Sequence, residues 1–109
     1  MTFREYQLKA KASARFPEKE NNYIYASLAL CGEAGEVADK IKKIWREKNK
    51  QVSAADRAEI KKELGDVLWY LSQLAEELEI NFDDVAQANL DKINSRLERN
   101  VLFGQGDNR

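Results

Sequence analysis

Apolar positions recur along most of this chain at intervals of three and four, the period of a helix with one buried side. In the first such stretch, roughly Phe3 to Arg15, the residues Phe3, Tyr6, Ala10 and Ala14 share a face. Thr2 with Glu5 three later makes a capping box at its start. After the loop "RFPEKENN", which holds the single proline, a second helix is predicted from about Asn22 to Lys48. It carries Leu30, Ala34, Val37, Ala38, Ile41, Ile44 and Trp45 along one side. "NKQV" breaks it, and Ser53 with Asp56 caps a third helix reaching about Glu79. The apolar side there is Ile60, Leu64, Val67, Leu68, Leu71, Leu74 and Leu78. Asn81 with Asp84 caps a fourth helix, roughly Phe82 to Asn100, with Ala86, Leu90, Ile93 and Leu97 facing inward. "VLFGQGDNR" has no period and reads as irregular. No stretch alternates as a strand would, and none reads as a linker. The expectation is an all-α four-helix bundle forming one domain over residues 1–109.

The second and third helices repeat each other. Shifted by thirty positions, Leu30 meets Ile60, Ala34 meets Leu64, Val37 meets Val67 and Ile41 meets Leu71. Glu33, Gly35 and Glu36 are answered by Glu63, Gly65 and Asp66. At about 100° per residue, Glu33 and Glu63 occupy the same margin of the apolar arc, with Glu36 and Asp66 about 60° further round. Packed antiparallel through those arcs, the helices would bring both acidic pairs to one edge of their seam. Gly35 and Gly65, each costing its helix roughly 1 kcal/mol relative to alanine, would let a backbone or ligand approach there.

Composition narrows what the acids can be for. With 18 basic and 19 acidic residues the formal charge is −1, so no net field points to nucleic acid or an anionic membrane. No run approaches the about 20 apolar residues of a membrane helix, and "MTFREYQLKAK" lacks the apolar core of a signal peptide. Cys31 is alone, which excludes an internal disulfide, fits a reducing cytoplasm and suggests a small buried apolar residue. There is no histidine, which removes Ser-His and Cys-His nucleophiles, a histidine base and imidazole metal ligands. Carboxylates, amines and amides remain.

Four carboxylates gathered together repel, by about 1 kcal/mol per pair at 4 Å even in bulk water. Salt bridges along a solvated helix face would resolve this for Glu36, which has Lys40 at i+4. They do not for the others: Glu33 and Glu63 have Val37 and Val67 at i+4, and Asp66 has Tyr70. Divalent cations offer a better resolution, because hard oxygen-only ligands suit Mg²⁺ or Mn²⁺ held alongside water and substrate phosphates.

The pairs Glu33-x-x-Glu36 and Glu63-x-x-Asp66, in "CGEAGEVADKIKKI" and "KKELGDVLWYL", resemble the metal motif of the MazG-like all-α nucleoside triphosphate pyrophosphohydrolases. The likeness runs from "EYQ" to "GQGDNR". One departure stands out: the family's first motif is often written E-E-x-x-E, and Gly32 takes the place of its leading acid. The four positions matching the family's metal ligands are intact. The resemblance implies hydrolysis of a nucleoside triphosphate between the α and β phosphorus, giving a monophosphate and pyrophosphate. Glu33, Glu36, Glu63 and Asp66 would be the catalytic metal ligands, and one of them, or a further acid such as Glu59, would activate water.

A triphosphate also needs donors. Asn89, Lys92 and Arg96 form a line beside the apolar arc of the fourth helix. By spacing alone a solvated basic stripe serves equally well; the resemblance assigns the line to substrate phosphates. Tyr70, one turn after Asp66, is a candidate for the sugar or base. Trp45 reads as a packing residue, and Trp69 as a surface or interface residue. Leu28, Trp69 and Val101 exceed what one small bundle covers. The resemblance implies dimers, often paired into tetramers, with the fourth helix of one subunit serving a neighbour's metals. Two other readings compete: a phosphoribosyl-ATP pyrophosphatase-like enzyme, and a non-catalytic helical dimerisation or adaptor module.

Overall fold

The computed structural model describes residues 1–109, and all the regular structure is helical: α1 (Phe3–Ser13), α2 (Tyr23–Glu47), α3 (Ala54–Glu77) and α4 (Phe82–Glu98). The starts follow the sequence signals. Thr2 and Glu5 form a reciprocal capping box on α1, Asn22 caps α2 through the Tyr25 N–H, and Ser53 with Asp56 boxes α3. At α4 the pattern differs from expectation. The Asn81 side chain takes the Asp83 N–H, and the Asp83 carboxylate accepts the Arg4 main-chain N–H at 3.0 Å, tying α4 to α1. Both α3 and α4 stop slightly short of the predicted ends, because Glu79 and Asn100 adopt left-handed conformations. The following N–H groups of Ile80 and Val101 then close back onto the Ala75 and Arg96 carbonyls, the Schellman pattern that seals a helix end.

α2 and α3 form a long antiparallel hairpin. Their register is visible from end to end: the Glu77 carboxylate accepts the Asn22 N–H, Lys40 reaches Glu63, and Lys48 pairs with Asp56 at the turn. α1 lies on the C-terminal half of α3, where Arg4 and Lys11 both pair with Glu76. α4 crosses the ends of α1 and α3 and does not touch α2. The knot where these three elements meet is a polar residue, Gln7, which is fully buried. Its amide donates to the Ile80 carbonyl at 2.8 Å, and its oxygen accepts from the Phe82 N–H and from Arg4. A buried amide with its partners in place specifies a unique junction.

The four helices therefore leave one side open. The Cα radius of gyration is 16.7 Å, against about 13 Å for a compact chain of this length. Only 10 of the 109 residues are buried, and four of those are polar. Several expectations fail for this reason. Cys31 is exposed rather than buried. Trp45 is 63% exposed and carries the Lys50 ammonium 3.9 Å from its ring centre instead of packing in a core. Leu64, Leu90 and Leu97, placed inward by period, are all more than half exposed. Trp69, read as a surface or interface residue, is only partly exposed, with its indole N–H 3.4 Å from the Ser13 hydroxyl of α1, and this neither supports nor overturns that reading. No helix is long and apolar enough to cross a membrane.

Candidate metal centre

The hairpin brings Glu33 of α2 against Glu63 and Asp66 of α3. One carboxylate oxygen from each lies within 4.8 Å of the other two. The register explains it: with Asn22 beside Glu77 and Lys48 beside Asp56, the middle of α2 must face the middle of α3. Glu33 and Glu63 are half-buried at the seam and Asp66 faces outward. Glu36 stands outside this group of three, exposed on the next turn of α2. Three acids rather than four converge.

The electrostatics record the crowding. Partial burial pushes the Glu33 carboxyl above its ordinary range, and the charges of Asp66, Glu63 and Glu36 push it the same way. Lys40 does not pair with Glu36 as its spacing suggested; it crosses the seam to Glu63 at 3.4 Å. One ammonium against four carboxylates leaves a strong excess of negative charge. Glu59 is bound to Lys62 at 3.0 Å, which holds its carboxyl below the usual range. Gly35 and Gly65 have nothing within 4 Å of where a side chain would begin, so no backbone of this chain approaches them. The space beside both acidic pairs is open.

Tyr70 lies where the wheel put it. Its hydroxyl is raised above the ordinary range by burial and by the nearby Tyr25, with Glu33 and Asp66 adding to it. Two residues that the sequence reading missed share this edge. Tyr25, two turns before Glu33 on α2, stacks on Phe16 with ring centres 5.3 Å apart. Tyr6 of α1 is raised by burial and by Asp66. Helical spacing from Glu33 was available as a signal for Tyr25, whereas Tyr6 comes from another helix and had none.

The basic line on α4 is placed differently. Asn89 is exposed, Lys92 is half-covered, and Arg96 is 5% exposed. Neither cation is free, since Asp107 accepts from Lys92 at 2.9 Å and from Arg96 at 3.1 Å. α4 also has no contact with α2, which carries Glu33 and Glu36. The structure does not bring the predicted phosphate donors onto the carboxylates within one chain.

The donor set suits a hard divalent cation: carboxylate oxygens only, no sulfur, no imidazole, and like charges held together without enough cations of their own. Comparison with known proteins agrees. The model of the MazG nucleotide pyrophosphohydrolase domain matches residues 23–101, a span that holds all four acids of the motif. A gene 37 protein of Mycobacterium phage L5 is 41% identical over 109 residues, covering 95% of this chain and 96% of that protein. No solved structure matches the chain significantly. A domain match across most of the chain, centred on the hairpin that gathers the acids, leaves one assignment: the chain belongs to the MazG nucleotide pyrophosphohydrolase family.

Proposed function

We propose that this protein hydrolyses nucleoside triphosphates to nucleoside monophosphates and pyrophosphate with Mg²⁺ or Mn²⁺ as cofactor. The observation that carries the reading is the convergence of Glu33, Glu63 and Asp66, whose mutual repulsion the single nearby cation, Lys40 at 3.4 Å from Glu63, only partly offsets. These three would hold the ion, and Glu36 adds a fourth carboxylate on the open side, where substrate and water arrive. The bound ion supplies charge neutralisation for the phosphates and the leaving pyrophosphate.

The chain's own residues then divide the work. Tyr70, beside Glu33 and Asp66, contacts the sugar or base. Asn89 and Lys92 offer donors to the phosphates. Because α4 stands apart from α2, that contribution comes from a second copy. Exposed Leu28, Trp45, Leu64 and Leu90, each between 53% and 69% accessible, supply apolar surface for the association. A homodimer or homotetramer follows, and sedimentation at micromolar concentration should show one; a fully active monomer would show that one chain suffices.

A panel of ribo-, deoxy- and modified nucleoside triphosphates with Mg²⁺ tests the activity. Monophosphate and pyrophosphate should appear together and stop in excess EDTA. Release of orthophosphate, or turnover undiminished by EDTA, would contradict the reading. Silence on every nucleotide would leave a helical dimerisation module.

A further inference from the structure

Residues 101–109 have no regular structure, yet they are firmly held. Their clasp is Arg109. Its guanidinium donates to the carbonyls of Val101 at 3.0 Å, Leu102 at 2.7 Å and Gly106 at 2.6 Å, so the segment closes around its own arginine. Arg99 of α4 fastens the end by donating to the Arg109 main-chain oxygen at 2.9 Å. Gly106 takes a positive φ of 84°, which an L side chain resists, immediately before Asp107. A side chain at Gly104 would meet the Arg109 side chain at 3.1 Å. Both glycines serve the clasp.

The clasp delivers Asp107 onto α4. Its Oδ1 accepts from Lys92 Nζ at 2.9 Å and from Arg96 Nη2 at 3.1 Å, and its main-chain oxygen takes a second bond from Arg96. The two cations are not equivalent. The Arg96 side chain is 6% exposed beneath the segment, whereas that of Lys92 is 38% exposed. Arg96 is therefore an anchor and cannot be an open phosphate ligand in this arrangement. Lys92 gives one of its three N–H donors to Asp107 and keeps two. One carboxylate between two cations leaves the pair with net positive charge.

We propose that Asp107 is a positioning residue: it fixes the Lys92 ammonium on α4 for a substrate phosphate, with Arg96 as its buried anchor and Arg109 as its clasp. This rests on the reading of Lys92 as a phosphate contact given above. A lysine is a point charge on a flexible four-carbon stem, and holding its head in place beforehand removes a cost that binding would otherwise bear. Asp107 and Arg109 lie beyond residues 23–101, the span matched by the family model.

The test uses the full chain and two readouts. Binding of inorganic tripolyphosphate is measured by calorimetry, and kcat and KM are measured with a hydrolysed nucleotide and Mg²⁺. Asp107→Asn should weaken tripolyphosphate binding and raise KM about fivefold while kcat stays nearly constant, and in a Lys92→Ala background it should add nothing. Asp107→Glu should recover most of the loss. Arg109→Lys leaves Asp107 in place but loosens the clasp, and should reproduce Asp107→Asn; it decides the matter if Asp107→Asn lowers the melting temperature. Unchanged or tighter tripolyphosphate binding by Asp107→Asn, in an enzyme that still turns over, overturns this role and leaves the proposed function standing. A wild type that neither binds tripolyphosphate nor hydrolyses any nucleotide overturns both.

Discussion

The acidic edge of the hairpin and the basic line of α4 are opposites in more than sign. On the hairpin, three carboxylates converge with one lysine nearby, and the Glu33 proton is held more tightly than normal. On α4, two cations share the Asp107 carboxylate, and their hydrogen bonds hold that group below its usual range. In the second cluster each cation has a carboxylate partner within the chain. The first is left frustrated by the fold, and unrelieved like charge on rigid helices calls for a counter-ion from outside. The contrast separates a cluster that lacks counter-charges within the chain from one that has a carboxylate partner there, more sharply than the residue types do.

The largest effect that should follow from this contrast is on Glu36→Gln. The variant keeps size and helix propensity but removes one anion, so turnover should drop about 10²-fold or more, by analogy with other preorganised charge sites. The melting temperature of the metal-free protein should stay level or rise, because repulsion at the seam falls. Parallel assays of pyrophosphate release and thermal melting check both halves. Lost activity with a lowered melting point would instead mark Glu36 as structural.

Lys92→Ala breaks the other side of the comparison. It should raise KM about tenfold by removing a charge-assisted hydrogen bond, and leave Mn²⁺ affinity nearly unchanged. Equal loss of metal and substrate binding would show that the two clusters are not separate.

The smallest expected effect is on acid stability, where two carboxylates of the hairpin act in opposite directions. The raised Glu33 group lends stability that is complete below its unfolded value of 4.5 and is lost as pH rises through its folded value. Asp56, lowered to about 2 by Lys48 and the Ser53 cap, lends stability present above 3.8 and lost as pH falls through about 2. Melting curves of metal-free protein across acid pH should therefore show Glu33→Gln losing the first dependence and Asp56→Asn the second. Two variants with identical pH profiles would contradict these assignments.

Much of this was legible beforehand, for local reasons. Ser53 with Asp56 and Thr2 with Glu5 fix helix starts through bonds between near neighbours, and both boxes form. The thirty-residue overlay placed Glu33 and Glu63 on facing margins, and they meet. Periodicity, however, says that a stripe is apolar and not which chain covers it. Leu90 and Leu97 lie on such a stripe and face solvent here, as do Trp45 and Cys31. Polar residues at structural knots were invisible for the opposite reason. Gln7 and Arg96 are buried against partners distant in sequence, Ile80 and Asp107, to which they donate hydrogen bonds. Asp107 itself sits in an aperiodic segment shaped by arginine bonds to carbonyls, which no pattern of residue types announces.

The claim that matters most is that Glu33, Glu63 and Asp66 hold a divalent ion. Direct titration of metal-free protein with Mn²⁺, followed by its electron paramagnetic resonance signal, tests it without reference to any substrate. The wild type should take up the ion, and Glu33→Gln and Glu63→Gln should each bind it at least about tenfold more weakly, as expected when a hard cation loses a charged oxygen ligand. A wild type that leaves the Mn²⁺ signal unchanged, or variants that bind as tightly as the wild type, would contradict the assignment.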